Sequence, residues 1–317
     1  MITTQQIKQH ALSLGFDACG ICKAERVDAQ TEYAYRQWLS QNGNASMEYL
    51  ARNIEKRFDP RLLVEGAKSI ISVALNYFPH QTLPDDVPQF AYYAYGKDYH
   101  DVVKAKLRQL FDFVKQQFPE VSGRYFCDSA PVLERYWAVR SGIGFIGKNN
   151  MLIIPQKGSY FFLGELIIDV ELEYDTPLSQ DCSACCLCLD ACPNNALEQP
   201  YYLNSNNCIS YQTIENKGDI TVPLHNNIYG CDSCQKACPF NRFAAPHCTK
   251  EFFPSEVFLL LNAEKLKTMS EDSFREVFGK SVVKRVGVER LRRNEKKITP
   301  QILANLNKTN YFCKLPK

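Results

Sequence analysis

The run Cys182-x2-Cys185-x2-Cys188-x3-Cys192-Pro193 limits what this chain can be more than any other feature. Three thiolates spaced by two residues can wrap one iron–sulfur cubane within a tight loop. A fourth, three residues further on and followed by proline, points away and serves a second cluster. A companion run is therefore expected, and it is present in altered form: Cys208, a long insertion, then Cys231-x2-Cys234-x3-Cys238-Pro239. The crossed arrangement predicts one [4Fe–4S] cluster on Cys182, Cys185, Cys188 and Cys238, and another on Cys192, Cys208, Cys231 and Cys234. Four-cysteine sites also bind zinc, but two Cys-Pro ends and eight suitably spaced thiols favour clusters.

Of fourteen cysteines in 317 residues, ten lie between Cys182 and Cys248, so the cysteine content belongs to one module. Cys186 and Cys248 are left over and read as non-ligands, while Cys19, Cys22, Cys127 and Cys313 are scattered. Cys19-x-x-Cys22 has a redox-type spacing but lies in a segment that alternates like a strand, which favours ordinary buried thiols. The first residues carry neither a basic nor an apolar leader, and no stretch is long and apolar enough to span a membrane. A cytoplasmic setting follows as the expectation, and there many cysteines argue for metal or redox chemistry over disulfides. A net charge of +2 gives no bulk sign of a nucleic-acid partner, so only a local patch could supply one.

Outside the module the chain reads as mixed α and β. Thr3 and Gln6 suggest a capping box ahead of a helix with Ile7, Ala11 and Leu14 on one face. Ser69 to Phe78 is a buried-strand run, and Val103, Leu107, Leu110, Phe111, Val114 and Phe118 fall at helical spacing. Gly123 to Cys127 predicts a strand ending at Asp128, and Pro131 suits the first turn of a helix running to Ser141. Asn150 to Pro155 and Tyr160 to Tyr174, parted by a Gln156-Lys157-Gly158-Ser159 turn, predict a hairpin. Gly142-x-Gly144-x-x-Gly147 matches a dinucleotide fingerprint in the wrong context, with a helix before it and a strand after, and reads as a close-approach turn. His100 sits in Asp98-Tyr99-His100, which lacks the glycine of a cobalt-ligating motif, and it is not expected to be an axial ligand. The boundaries predicted are 1–177, 178–250 and a helical segment 251–317. That last segment holds the basic run Lys284 to Lys297, with seven positive and two negative residues. Clusters carry electrons but perform no substrate chemistry, so the reaction should sit in the first 177 residues on a second cofactor.

These residues resemble the epoxyqueuosine reductase family, cobalamin-dependent iron–sulfur enzymes of queuosine-tRNA synthesis. The resemblance rests on Glu55 to Leu63, on Tyr95-Gly96-Lys97-Asp98-Tyr99-His100 and on Cys127-Asp128-Ser129-Ala130-Pro131. It continues in Arg140 to Asn149, and in Cys188 to Pro193, Cys208 to Tyr211 and Tyr229 to Gln235. It implies an α+β fold: a nitroreductase-like cobalamin domain, a ferredoxin-like two-cluster domain and a short helical end in place of a longer HEAT-like extension. It implies reduction of epoxyqueuosine to queuosine at the wobble position of GUN-anticodon tRNAs for Asp, Asn, His and Tyr, with an external flavodoxin or ferredoxin donor and a monomeric protein. Asp128 is then the proton donor, with its pKa raised by burial. Arg57, Asp128, Lys148, Asn149, Leu152, Leu163 and Ser210 lie by the cobalamin, and Arg290, Arg292 and Arg293 offer a tRNA patch. The rival readings are a reductive dehalogenase relative acting on a small substrate and a plain ferredoxin-type electron carrier.

Overall fold

The computed structural model describes residues 3–298. Met1, Ile2 and residues 299–317, which include Cys313 and the end of the expected helical segment, lie outside the described residues. At the centre is a four-stranded antiparallel sheet of β1 (Ala18–Lys23), β2 (Ser69–Asn76), β3 (Gly123–Phe126) and β4 (Phe161–Ile168), in the order β1-β2-β4-β3. The two middle strands are buried along almost their whole length, as their unbroken apolar runs require.

Helices cover both faces. On one, α1 (Thr4–Ser13) and α3 (Tyr99–Gln117), with α2 (Ala29–Ser40) between them in sequence, pack Ile7, Ala11, Leu107, Leu110 and Val114 against Ile21, Ile71, Val73, Leu166 and Ile168. The capping box of α1 forms as expected: Gln6 N–H donates to the Thr3 hydroxyl, and the Gln6 side chain accepts from Thr3 N–H. On the other face, α4 (Glu134–Arg140) sets Trp137 on Cys22, Ile70, Phe126 and Ile167. Residues i and i+3 of a strand face opposite ways, so Cys19 borders the first core while Cys22 sits in the second. Burial pushes both thiols up to about 12, which fits inert packing.

Two expectations fail here. The helix after β3 begins at Glu134 and not near Pro131. The intervening residues form a turn in which Asp128 takes a left-handed φ of 52° and Ser129 N–H bonds back to Cys127 O at 2.7 Å. The expected hairpin does not form either. Leu152–Ile153 pairs with Phe145–Ile146, and Phe161–Ile168 joins the central sheet between β2 and β3. Only the turn survives, closed by an Ile154–Gly158 bridge. The glycine fingerprint is a close-approach turn: a Cβ on Gly144 would lie 2.3 Å from Ile153 O, so only glycine lets the two short strands meet.

A parallel pairing of Gln89–Phe90 with Asn227–Tyr229 ties the first part of the chain to the cysteine module. Beneath it lies a third core, in which Phe258, Leu266, Phe274, Phe278, Val283 and Leu291 pack on Leu83, Phe90, Tyr95 and Ile228. Among the described residues no helix is long and apolar enough to cross a membrane.

Two more helices decide the fate of the basic run: α5 (Ile209–Ile214) and α6 (Gly287–Glu295). Arg293 Nη1 donates to Asn216 O at 2.8 Å and Gly218 O at 2.6 Å, and its Nη2 to Gln212 O at 3.0 Å. Arg290 donates to Ile214 O at 2.9 Å and Arg285 O at 2.7 Å. Arg292 reaches Met269 O and Glu289, both at 2.6 Å. The Arg290 and Arg293 guanidiniums take up the unpaired carbonyls where α5 ends, and Arg292 is held by Met269 O and Glu289, so the structure engages all three in contacts within the chain. Arg293→Ala is expected to destabilise the fold by about 2 kcal/mol, the scale of hydrogen bonds to a charged group. Thermal unfolding checks this, and an unchanged midpoint with weakened tRNA binding would restore the patch reading.

Candidate active site and cysteine module

Two short helices frame the cysteines: Leu187–Asp190 opens just after the Cys182-x-x-Cys185 step, and Ser233–Lys236 opens inside the Cys231-x-x-Cys234 step. They bring Cys182, Cys185, Cys188 and Cys238 around one small cavity, together with Lys148, Asn149, Ile153, Pro239 and Phe240. The last cysteine of the second run thus joins the first three of the first, as the crossed spacing predicts. Burial, then the neighbouring thiols Cys238, Cys182 and Cys185, push Cys188 up to about 11. The other four cysteines also gather. Burial, then Cys231, Cys208 and Cys192 among its neighbours, hold Cys234 well above an ordinary thiol. Crowded thiols of this kind ionise when iron takes their protons. Backbone N–H groups point at the sulfurs, among them Ala196 N–H to Cys192 Sγ at 3.2 Å. The residues fit the clusters their spacing implies. Cys186 instead faces the Lys148 ammonium at 3.6 Å, and Cys248 is exposed.

The second centre lies where β3 ends. Asp128 Oδ2 accepts a 2.5 Å hydrogen bond from the Tyr99 hydroxyl, and His100 Nε2 stands 3.7 Å from the same oxygen. Both partners come from the first turn of α3, where Asp98 caps the helix and its Oδ1 lies 2.7 Å from His100 Nδ1. Tyr99 is fixed by stacking on Phe162, with ring planes 4° apart. The Asp128 N–H donates to Glu134 Oε1. Asp128 and Arg135 are solvent-exposed, yet burial is the largest influence on each, so both face a cleft and not open solvent.

The electrostatics correct one expectation. Burial alone would raise Asp128, but the neighbouring His100 imidazole and the Tyr99 hydrogen bond outweigh it and hold the carboxyl below its usual range. Burial pulls His100 down, and its bonds to Asp128 and Asp98 more than reverse that, lifting it to about 9. At neutral pH the two form a carboxylate–imidazolium pair that still owns one proton.

The remaining residues fall in three places. Arg57 is buried, with Nη2 on Tyr49 O at 3.3 Å and its Nε–H without a partner among the described residues. It does not pair with its sequence neighbours, since Glu55 binds Arg26 and Arg36, and Asp59 binds Arg61. Lys148 and Asn149 lie against the cysteines: Lys148 Nζ reaches Ser183 O at 2.7 Å, and Asn149 Nδ2 reaches Cys234 O at 3.3 Å. Leu152 and Leu163 fill an apolar cluster with Ala74, Ala138 and Ile143, and Ser210 opens α5 beside Cys208. Tyr99, His100 and Arg135 had no role in the sequence reading. The only signal for the first two was their place in the Asp98-Tyr99-His100 stretch.

An acid cluster facing a cleft, in one chain with cysteines grouped in two sets of four, defines an iron–sulfur oxidoreductase. A family model for epoxyqueuosine reductase QueG matches residues 57–129, and a model for a 4Fe-4S double cluster binding domain matches residues 181–241. Epoxyqueuosine reductase of Cellulophaga algicola is 44% identical over 91% of this chain and 95% of its own length. That of Escherichia coli is 36% identical over 92% of this chain and 79% of its own. A crystal structure of epoxyqueuosine reductase with an epoxyqueuosine-modified tyrosine tRNA stem loop is 34% identical, with a TM-score of 0.82 over 92% of this chain and 79% of that one. The Bacillus subtilis enzyme, solved with its catalytic aspartate loop swung out of the active site, is 33% identical with a TM-score of 0.83 over the same shares. The chain belongs to the epoxyqueuosine reductase family.

Proposed function

We propose that this protein reduces epoxyqueuosine to queuosine in tRNA, with Asp128 delivering the proton and two [4Fe–4S] clusters delivering the electrons. The observation that carries this reading is the Asp128–Tyr99–His100 cluster, which stores a proton in a cleft. The reaction consumes two electrons and two protons, turns the epoxide into an alkene and releases its oxygen as water. Tyr99 orients Asp128, and the proton held on His100 passes to the epoxide oxygen through Asp128 as charge develops there. The segment from Tyr92 to Tyr99 links the two centres: Tyr92 N–H bonds Asp232, which lies between Cys231 and Cys234, and Tyr99 bonds Asp128.

The unpartnered Arg57 Nε–H suits an acceptor-rich ligand such as the amide-fringed rim of cobalamin. Arg57 would hold that rim, Ser210 would lie near it, and Leu152 and Leu163 would supply an apolar floor. A cobalamin held there would supply the two-electron redox centre that the chain's own side chains lack. On the same reading residues 1–177 are a nitroreductase-like cobalamin domain, 178–250 the ferredoxin-like domain and 251–317 a helical end. The family resemblance supports GUN-anticodon tRNAs as substrates, a flavodoxin or ferredoxin donor and a cytoplasmic monomer. A plain electron carrier would leave the Asp128 cluster without use.

The test is anaerobic reconstitution with iron, sulfide and cobalamin, then digestion of epoxyqueuosine-containing tRNA after reduction. Loss of epoxyqueuosine with gain of queuosine is expected, along with a changed corrinoid absorption spectrum. An unchanged spectrum would remove cobalamin from the reading, and unchanged nucleosides would remove the substrate.

A further inference from the structure

Glu165 is fully buried in the middle of β4, opposite Ser72 on β2 and Phe126 on β3. Neither of its carboxyl oxygens has a hydrogen-bond donor among the described residues. What faces it is the carboxyl of Glu134 on α4. Two ionised carboxylates offer each other no donor, and an ionised, unpaired carboxylate in a sheet core is strongly disfavoured. One proton shared between them removes both problems.

Glu134 is also the group that accepts the Asp128 N–H. Asp128 takes a left-handed φ of 52°, which costs a residue with a Cβ, so the loop needs an outside hold. A family relative has been solved with its catalytic aspartate loop swung out, so that loop has two positions there. We propose that Glu165 and Glu134 share a proton, and that this proton-linked pair is the latch that keeps the Asp128 loop in its productive position. Glu165 is then a positioning residue for the proton donor, an inference that rests on the function proposed above.

The pH dependence follows. Burial and the charge of Asp128 push Glu134 up to about 8, and burial with Glu134 holds Glu165 well above an ordinary carboxyl. The other groups facing the pair are Asp128, Arg135, Cys127 and Cys22. Burial keeps both thiols neutral through this range, and Arg135 partly offsets the acidic charge. As pH rises through about 8 Glu134 ionises, a form that the Asp128 N–H favours, while Glu165, held higher by burial and by Glu134, keeps the proton that it offers to Glu134.

Three measurements on the cluster-reconstituted protein test this. Infrared spectroscopy should show a protonated buried-carboxyl band that shifts in heavy water, weakens without vanishing as pH passes about 8, and is absent from Glu165→Gln and Glu134→Gln. Amide exchange in 127–133 should slow against its intrinsic pH dependence in the same range. Glu165→Gln, whose amide donates to Glu134 at every pH, should extend that protection to lower pH, while the alkaline fall in single-turnover rate stays at about 9, where His100 titrates. A band that persists in both variants, or one missing from the wild type, overturns the shared proton. Exchange unchanged by Glu165→Gln overturns the latch. If band and exchange behave as expected while no tRNA is reduced, the proposed substrate fails and the pair stands.

Discussion

Asp128→Asn is expected to abolish reduction of epoxyqueuosine while iron content and corrinoid binding stay at wild-type levels. The amide occupies the same space and can still accept from Tyr99, whose hydroxyl bonds the carboxylate at 2.5 Å. It cannot take a proton from His100 and pass it on, and it removes the charge that holds the imidazole protonated. General acid catalysis contributes about 10²- to 10⁴-fold, so the single-turnover rate should fall by at least that much. A variant that kept near-wild-type turnover would show that another group supplies the proton. The wild-type rate carries a second signature. His100 has its pKa raised, so the proton it holds is present at neutral pH and is lost as pH rises through about 9. The fall belongs on the alkaline side, and Asp128→Asn should remove this limb from whatever residual rate remains.

Cys238→Ala should be as damaging to turnover, for a different reason. Cys238 belongs by sequence to the run that contains Cys231 and Cys234, but it lines the cavity of Cys182, Cys185 and Cys188. Its removal should cost the cluster of the first set, dropping iron from about eight to about four atoms per chain, and break the electron path. Double variants reveal the crossing. Cys238→Ala with Cys182→Ala should lose no more iron than either alone, and Cys238→Ala with Cys231→Ala should lose nearly all. The opposite pattern would mean that each run keeps its own cluster.

The cysteine grouping was legible because the spacing itself encodes the geometry of a cubane and its neighbour. The buried strands and the long amphipathic helix were legible for the same kind of reason, since period and burial are local properties. Tyr99 and His100 were not, because their role arises when the first turn of α3 meets a strand end 29 residues further along the chain. The direction of the Asp128 shift failed for that same cause: burial was foreseen, and the Tyr99 hydrogen bond and the nearby His100 that outweigh it were not. The Asn150–Pro155 hairpin failed because period cannot say which partner a strand chooses. Arg290, Arg292 and Arg293 look alike in a count of positive charge, whether they face a phosphate or a row of carbonyls. Arg57 carried the opposite lesson: its acidic neighbours suggested ion pairs that other arginines have taken.

The parallel pairing of Gln89–Phe90 with Asn227–Tyr229 means that where the chain can be cut and where the structure can be cut are different places. A fragment starting at the linker after Tyr174 would keep every cluster cysteine and lose the strand that lies beside Tyr229. It would also leave Phe258, Phe278 and Leu291 without Leu83, Phe90 and Tyr95 to cover them. The electron-carrying half is therefore not a transplantable cartridge. Anyone moving it into another scaffold has to carry 83–95 along, or supply a substitute strand and an apolar lid to replace it.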